Sequence, residues 1–270
     1  MVGTSDNKPG KSAGVVSNLV KKRCSQARLM DITKAIENGS HPNVLRIIED
    51  GLFSGTEMRA IFQSLLGKRE DGRQKVPKLT DPTILSRVPV QLHFGAVCDY
   101  GEMVLRAYFY VNSLSNIHIA VSAAAKRVHV LGPVSGDEQC SLDDDSENSL
   151  KAFKERLQAR VTPYAFKPEN GIRDMERARN FCQDVGEQLW AHYFKKAIAA
   201  RPNFQEKDWP SARMKRCGLG MDGLGLTFAF PHSVPRASLP ILWASGPVSV
   251  DGRSLDWMPL FPNADLIGDN

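Results

Sequence analysis

The sequence lacks what would mark a disulfide-stapled, metal-binding or membrane-spanning protein. Its five cysteines, Cys24, Cys98, Cys140, Cys182 and Cys217, are odd in number and far apart. No pair has Cys-x-x-Cys spacing, so neither a disulfide framework nor a zinc site is indicated, and a reducing compartment fits best. No apolar run approaches the roughly 18 residues that cross a bilayer, so no membrane partner is expected. No apolar stretch follows the first charges, so no secretory signal is expected either. Internal repeats are absent. The six histidines are dispersed. None joins a Ser-His-Asp, Cys-His or paired-carboxylate arrangement. His118 and His129 lie in candidate strands without a carboxylate at ligand spacing, and His192 reads as part of a solvated helix face. Gly10-Lys11-Ser12 ends like a phosphate-binding P-loop, but Ser5 stands where its first glycine belongs. These absences point away from an enzyme and indicate no cofactor and no metal.

What is present is ordinary globular material. With 270 residues, 42% hydrophobic and 24% charged, the chain can build one large core or two small ones. The charge is placed unevenly. Lys8, Lys11, Lys21, Lys22, Arg23 and Arg28 face the single anion Asp6, which accounts for the whole net charge of +5. A basic start on a neutral body resembles a nucleic-acid-binding arm, and a solvated terminus is the alternative.

Periodicity predicts helix from Val15 to about Glu37, and a second helix from Pro42 carrying Val44, Leu45, Ile47 and Ile48 to Gly51. Ser54-Gly-Thr-Glu57 reads as a capping box before the amphipathic face Met58, Ile61, Phe62 and Leu65, which ends at Gly67. Val90, Leu92 and Phe94 alternate with polar residues. Met103–Val111 is aromatic and β-branched, and 117–121 and 128–131 alternate again. These runs predict two to four antiparallel strands. Helices follow at Leu150–Val161 and Ile172–Ala200. The longer one bears the stripe Met175, Ala178, Cys182, Val185, Leu189, Tyr193 and Ala197. Beyond Gly225, frequent prolines exclude long helices. The expected fold is α+β and mainly helical, with a small antiparallel β element in the middle and extended terminal arms. The expected organisation is a basic disordered arm at 1–14, a helical segment at 15–67 and a core at 83–230, followed by a Pro-rich extension at 231–270. Strands are expected at about 90–131 of the core and helices at about 150–200.

Two motifs compete for function. Gly218-Leu-Gly220-Met-Asp-Gly223 fits the dinucleotide pattern G-x-G-x-x-G, but no strand leads into it and no helix follows, so a flexible loop is the plainer reading. Three cationic clusters lie within 44 residues: Arg173/Arg177/Arg179, Lys195/Lys196/Arg201 and Arg213/Lys215/Arg216. Phe204 and Trp209 lie between two of them. Cations in a stripe with aromatics beside them suit a single-stranded RNA backbone and its bases. Interleaved Asp174, Glu176, Asp184 and Glu187 suit a salt-bridged surface instead.

Arg179-Asn-Phe181-Cys182, with Trp190 eight residues after the cysteine, resembles the coat proteins of flexuous filamentous plant RNA viruses of the potexvirus and carlavirus kind. Pro202, Trp209, Phe228-Ala-Phe230 and Pro235-Arg-Ala-Ser238 look like the family's later landmarks. Pro231 and His232 stand near the position of its Phe-Asp acid. The resemblance implies a structural nucleocapsid protein and no enzyme. Such a protein coats single-stranded RNA through Arg173, Arg177, Arg179, Lys195, Lys196, Trp209, Arg213, Lys215 and Arg216. It implies a homo-oligomer forming a helical filament, located in the virion and the host cytoplasm. The alternatives are a viral accessory or movement-type RNA-binding protein, and a nucleotide-binding enzyme using Gly218–Gly223.

Overall fold

The structure is a computed structural model that describes residues 2–3, 12–24, 30–37, 44–69, 74–120, 126–128, 175–199, 217–230 and 234–261. Its described residues fall into two compact units, one within 2–128 and one within 175–261.

The first unit alternates strands and helices: β1 (Val2–Gly3), α1 (Ser12–Arg23), β2 (Met30–Asp31), α2 (Ile32–Glu37), β3 (Leu45–Leu52), α3 (Thr56–Leu65), β4 (Val90–Cys98), α4 (Asp99–Val111), β5 (Ile117–Ala120) and β6 (Lys126–Val128). The sheet order is β2-β1-β3-β4-β5, and every described pairing in it is parallel. β3 runs beside β4 from Leu45–Val90 to Leu52–Val97. β6 pairs Ala96–Cys98 of β4; β3 already occupies one side of Ala96 and Val97, so β6 lies on the side that β5 takes. This is an α/β architecture and corrects the expected mainly helical α+β fold with an antiparallel β element.

Two segments exchanged their expected roles. Residues 45–52 form β3, not a helix. Leu45 and Ile47 point into the core beside Val90, Leu92, Ile117 and Ile119, while Arg46 between them is exposed. Met103–Val111 belongs to α4, not to a strand. Its aromatic and β-branched residues suggest strand propensity, but the helix buries Met103, Val104, Leu105, Ala107, Tyr108 and Phe109 and exposes Arg106 and Tyr110, four residues apart. Tertiary packing overrides propensity here. Phe62 of α3 and Phe109 of α4 meet edge to face at 5.0 Å, both within the core cluster. Full burial of each such side chain contributes about 1.5–3 kcal/mol.

The second unit is built on α5 (Met175–Ala199) with the short α6 (Pro240–Trp243) and the antiparallel hairpin β7 (Gly246–Val250) and β8 (Arg253–Trp257). Of the predicted stripe, Cys182, Val185 and Leu189 are buried. Trp190, Tyr193 and Trp243 interlock, with the two tryptophans 5.4 Å apart and edge to face. Gln188 ties the hairpin to α5, accepting from Ser249 N–H at 2.7 Å and donating to its carbonyl at 3.1 Å. The predicted helix at 150–161 lies outside the described residues.

Candidate active site

In the first unit the chain moves outward from β1 to β2 and returns to place β3 on the other side of β1. The strand order therefore reverses between β1 and β3. Open parallel sheets bind ligands at the carboxyl ends of the strands beside such a reversal. At that end of β3 stand Glu49 and Asp50, both half-buried. Asp50 accepts a 2.7 Å hydrogen bond from the Gly51 amide, which fixes its carboxylate at the strand's end.

The chain then turns through Gly51–Gly55 into α3. Each glycine there answers a close approach. A side chain on Gly51 would strike the Phe53 ring, and one on Gly95 of β4 would stand 3.0 Å from the Asp50 carbonyl. Gly101, in the first turn of α4, sits against the Phe53 carbonyl and leaves no room for a methyl group. Gly55 adopts φ 74° and lies against Gly101 and Val104. This left-handed residue is the N-cap of α3, so the expected capping box does not form. No side chain caps the helix; Ser54 Oγ accepts only from the Thr56 amide, at 3.3 Å. The N-terminal amides of α3 and the positive end of its dipole thus face the strand ends, an arrangement suited to an anion.

The surrounding charge is mostly negative. Glu57 lies in the first turn of α3, and Asp99 and Glu102 lie in that of α4; Glu102 pairs with Arg106 at 2.7 Å. Arg59, one turn into α3, has its Nε buried without a partner, as is the Tyr108 hydroxyl. Burial pushes the Tyr108 phenol up to about 12, with the Arg59 charge opposing the shift, so the phenol stays neutral. No three metal-ligating side chains converge among the described residues.

The residues singled out from sequence are placed elsewhere. Arg177 and Arg179 are near the start of α5 and Lys195 and Lys196 near its end, so the two clusters are separated by about 27 Å of helix. Arg177, Lys195 and Lys196 are exposed, and Arg179 is half-buried with its Nε lacking a partner. Arg173, Trp209, Arg213, Lys215 and Arg216 lie outside the described residues. The Gly218–Gly223 loop is closed. Cys217, Gly218, Leu219 and Gly220 are buried. The Met221 amide donates to Arg236 O at 2.8 Å, the Gly223 amide to Gly220 O at 2.9 Å and the Leu226 amide to Ala237 O at 3.1 Å. Gly186 of α5 packs directly on the Gly218 carbonyl. These glycines let backbone approach backbone, and their loop presents no cradle for a pyrophosphate. His192 is held below the usual imidazole range by burial and by Lys196 and Lys195, with Asp256 opposing, and its ring packs on Gly246.

Sequence reading missed Glu49, Asp50 and the loop to Thr56. A legible signal existed: an apolar run containing adjacent isoleucines, two acids, then a glycine-bearing loop opening an amphipathic helix. That order is a strand, a loop and a helix, the unit from which parallel sheets are made.

A family model described as PRTase-CE, a phosphoribosyltransferase-type family, matches residues 2–263. No curated protein and no solved structure matches the chain. The family match spans all the residues that resemble filamentous-virus coat proteins and overturns that resemblance. With it go the structural, non-enzymatic role and the nucleocapsid and virion assignments.

Proposed function

The chain belongs to the PRTase-CE family, a phosphoribosyltransferase-type family, and from that premise we propose that it transfers a phosphoribosyl group at the carboxyl end of β3. The observation that carries this reading is the Glu49–Asp50 pair, set five residues before an α3 N-terminus that no side chain caps. A phosphoribosyl donor has complementary parts: a 5-phosphate, two adjacent ribose hydroxyls and an anionic leaving group on C1. The α3 amides and the Ser54 and Thr56 hydroxyls suit the 5-phosphate. Carboxylates accept hydrogen bonds from hydroxyls, and Glu49 and Asp50 suit the diol. In the transfer, the C1–oxygen bond breaks with its electron pair leaving on pyrophosphate, and an acceptor's lone pair forms the new bond to C1. Positive charge builds on the ribose ring, where two carboxylates stabilise it. Glu49 and Asp50 are the oxygen ligands that would hold a divalent ion here. It would neutralise the leaving pyrophosphate.

The test is calorimetric titration of the full chain with 5-phosphoribosyl 1-pyrophosphate and with ribose 5-phosphate, magnesium present. Saturable binding of the donor, weakened in Glu49→Gln and Asp50→Asn with folding intact, is the expected result. Failure of the unsubstituted chain to bind either compound would overturn the proposal.

A further inference from the structure

The hairpin of the second unit carries a surface unrelated to phosphoribosyl transfer. Asp251 (φ 49°) and Gly252 (φ 74°) form a two-residue turn in which both residues are left-handed, the type whose twist matches paired strands. In such a hairpin the flanking pair, here Val250 and Arg253, exchanges both hydrogen bonds. The backbone groups of Arg253, Leu255 and Trp257 therefore point toward β7, and those of Ser254 and Asp256 point outward. Among the described residues no third strand meets them. The edge carries charges at Arg253 and Asp256 but no proline, lysine or bulge.

Apolar side chains gather along this edge. Leu255 is 39% exposed although its cross-strand neighbour Val248 is buried. Phe181, also 39% exposed, meets the Trp257 ring at 6.2 Å. Met258 and Leu260 follow at 82% and 76%, and Phe261 at 47%. The Trp257 indole donates to Ile241 O at 2.9 Å and the Phe261 amide to Leu242 O at 2.8 Å, so this row is anchored to the unit.

We propose that the β8 edge joins a second copy of the chain, β8 pairing antiparallel with β8 about a two-fold axis through Leu255. The sequence of the edge selects both the occupant and the register. Antiparallel pairing sets outward-pointing residues opposite one another, so the axis must pass through a residue and not between two. Centred on Leu255, the Ser254 hydroxyl faces the copy's Asp256 carboxylate, the Arg253 guanidinium faces the copy's Trp257 ring, and Leu255 meets its own mate. Each of these pairs is favourable. Centred on Asp256, two carboxylates would oppose each other, which is unfavourable. Centred on Ser254, Gly252 would face Asp256 and the exposed Leu255 would face a guanidinium. An isologous contact of this kind closes at two copies.

The experiment is sedimentation velocity on the full chain across low and high micromolar concentrations, with two variants. The unsubstituted chain is expected to form a concentration-dependent dimer, and Leu255→Asp a monomer with unchanged tryptophan fluorescence. Leu255→Cys supplies a check that does not depend on the first variant. Opposed residues in a non-hydrogen-bonded pair have Cα atoms about 4.5 Å apart, within disulfide range. Mild oxidation should therefore link its dimer covalently, beyond any linkage in the unsubstituted chain. A monomeric unsubstituted chain at high concentration would overturn the proposal. So would a dimer that persists in Leu255→Asp, or one that Leu255→Cys fails to cross-link.

Discussion

Two glycine-bearing loops, one in each unit, put the same residue to opposite uses. Beside β3 and α3, Gly55 and Gly101 bring the 51–55 turn against neighbouring backbone, Gly95 of β4 admits the Asp50 carbonyl, and Gly51 leaves room for the Phe53 ring. The turn ends at a helix that no side chain caps, with carboxylates at its head. Between α5 and the C-terminal segments, Gly186, Gly218 and Gly220 press the 217–225 turn against backbone as well. There the amides are bonded to carbonyls and the loop is buried. Only the first loop leaves a helix end and charged side chains for a ligand. Glycine spacing therefore reports close approach, and the elements on either side decide whether a ligand or the protein itself makes that approach.

The largest effect that would break this contrast is at Asp50. A hydrogen bond to a charged group is worth about 1.5–3 kcal/mol, so Asp50→Asn should weaken donor binding about 10- to 100-fold. Calorimetry reads this directly, and an unchanged affinity would remove the carboxylate from the site. Gly186→Ala addresses the other loop. A methyl group overlapping the Gly218 carbonyl should cost about 1–3 kcal/mol in overpacking. The loss should appear as lower stability of the unit that contains Trp190 and Trp243, with donor binding retained. A neutral substitution would mean that the loop yields.

Acidification should weaken both units, and here the histidines give the sign. His93 is held below the usual imidazole range by burial and then by Arg46, as His192 is by burial and the two lysines. The unfolded chain therefore takes up protons first. The stability tied to neutral histidine is full above about pH 6.5 and falls as pH drops from there toward the folded pKa values. Thermal unfolding followed from about pH 7.5 to about pH 5.5 should show the loss, with a flatter dependence in His93→Gln. A midpoint that rises on acidification would contradict the sign. The smallest effect concerns Glu57, whose exposed carboxylate opposes an anion at the α3 N-terminus. Glu57→Gln should tighten donor binding about 2- to 5-fold, from about 0.3–1 kcal/mol of dipole-range electrostatics. Weaker binding in that variant would mean that Glu57 helps hold the donor.

How much was legible varied with the kind of signal. The apolar face of α3, the alternation in β4 and the long stripe of α5 all emerged from periodicity, because each element buries one side. β3 did not, because exposed Arg46 alone separates buried Leu45 and Ile47 before half-buried Ile48 breaks the alternation. Leu45, Ile47 and Ile48 fit a short helix as well as a strand. Reading 42–51 as helix placed Glu49 and Asp50 near a helix end, and Ser54–Glu57 then looked like an ordinary cap. The site disappeared with that one assignment. α4 failed in the other direction, since Tyr108, Phe109, Tyr110 and Val111 favour strands, although the exposed positions Arg106 and Tyr110 keep a helical spacing. The Arg-x-Phe-Cys resemblance was local to α5, where Cys182 and Trp190 are core residues of a helix. Such residues recur wherever a helix must pack, and they carry little information about function.

The most direct test is hydrogen exchange of the full chain with and without 5-phosphoribosyl 1-pyrophosphate, comparing the backbone of residues 49–58 with that of 217–225. Donor-induced protection is expected in 49–58 and absent from 217–225. Protection of 217–225, or saturable donor binding that leaves 49–58 unprotected, would contradict the placement of the site.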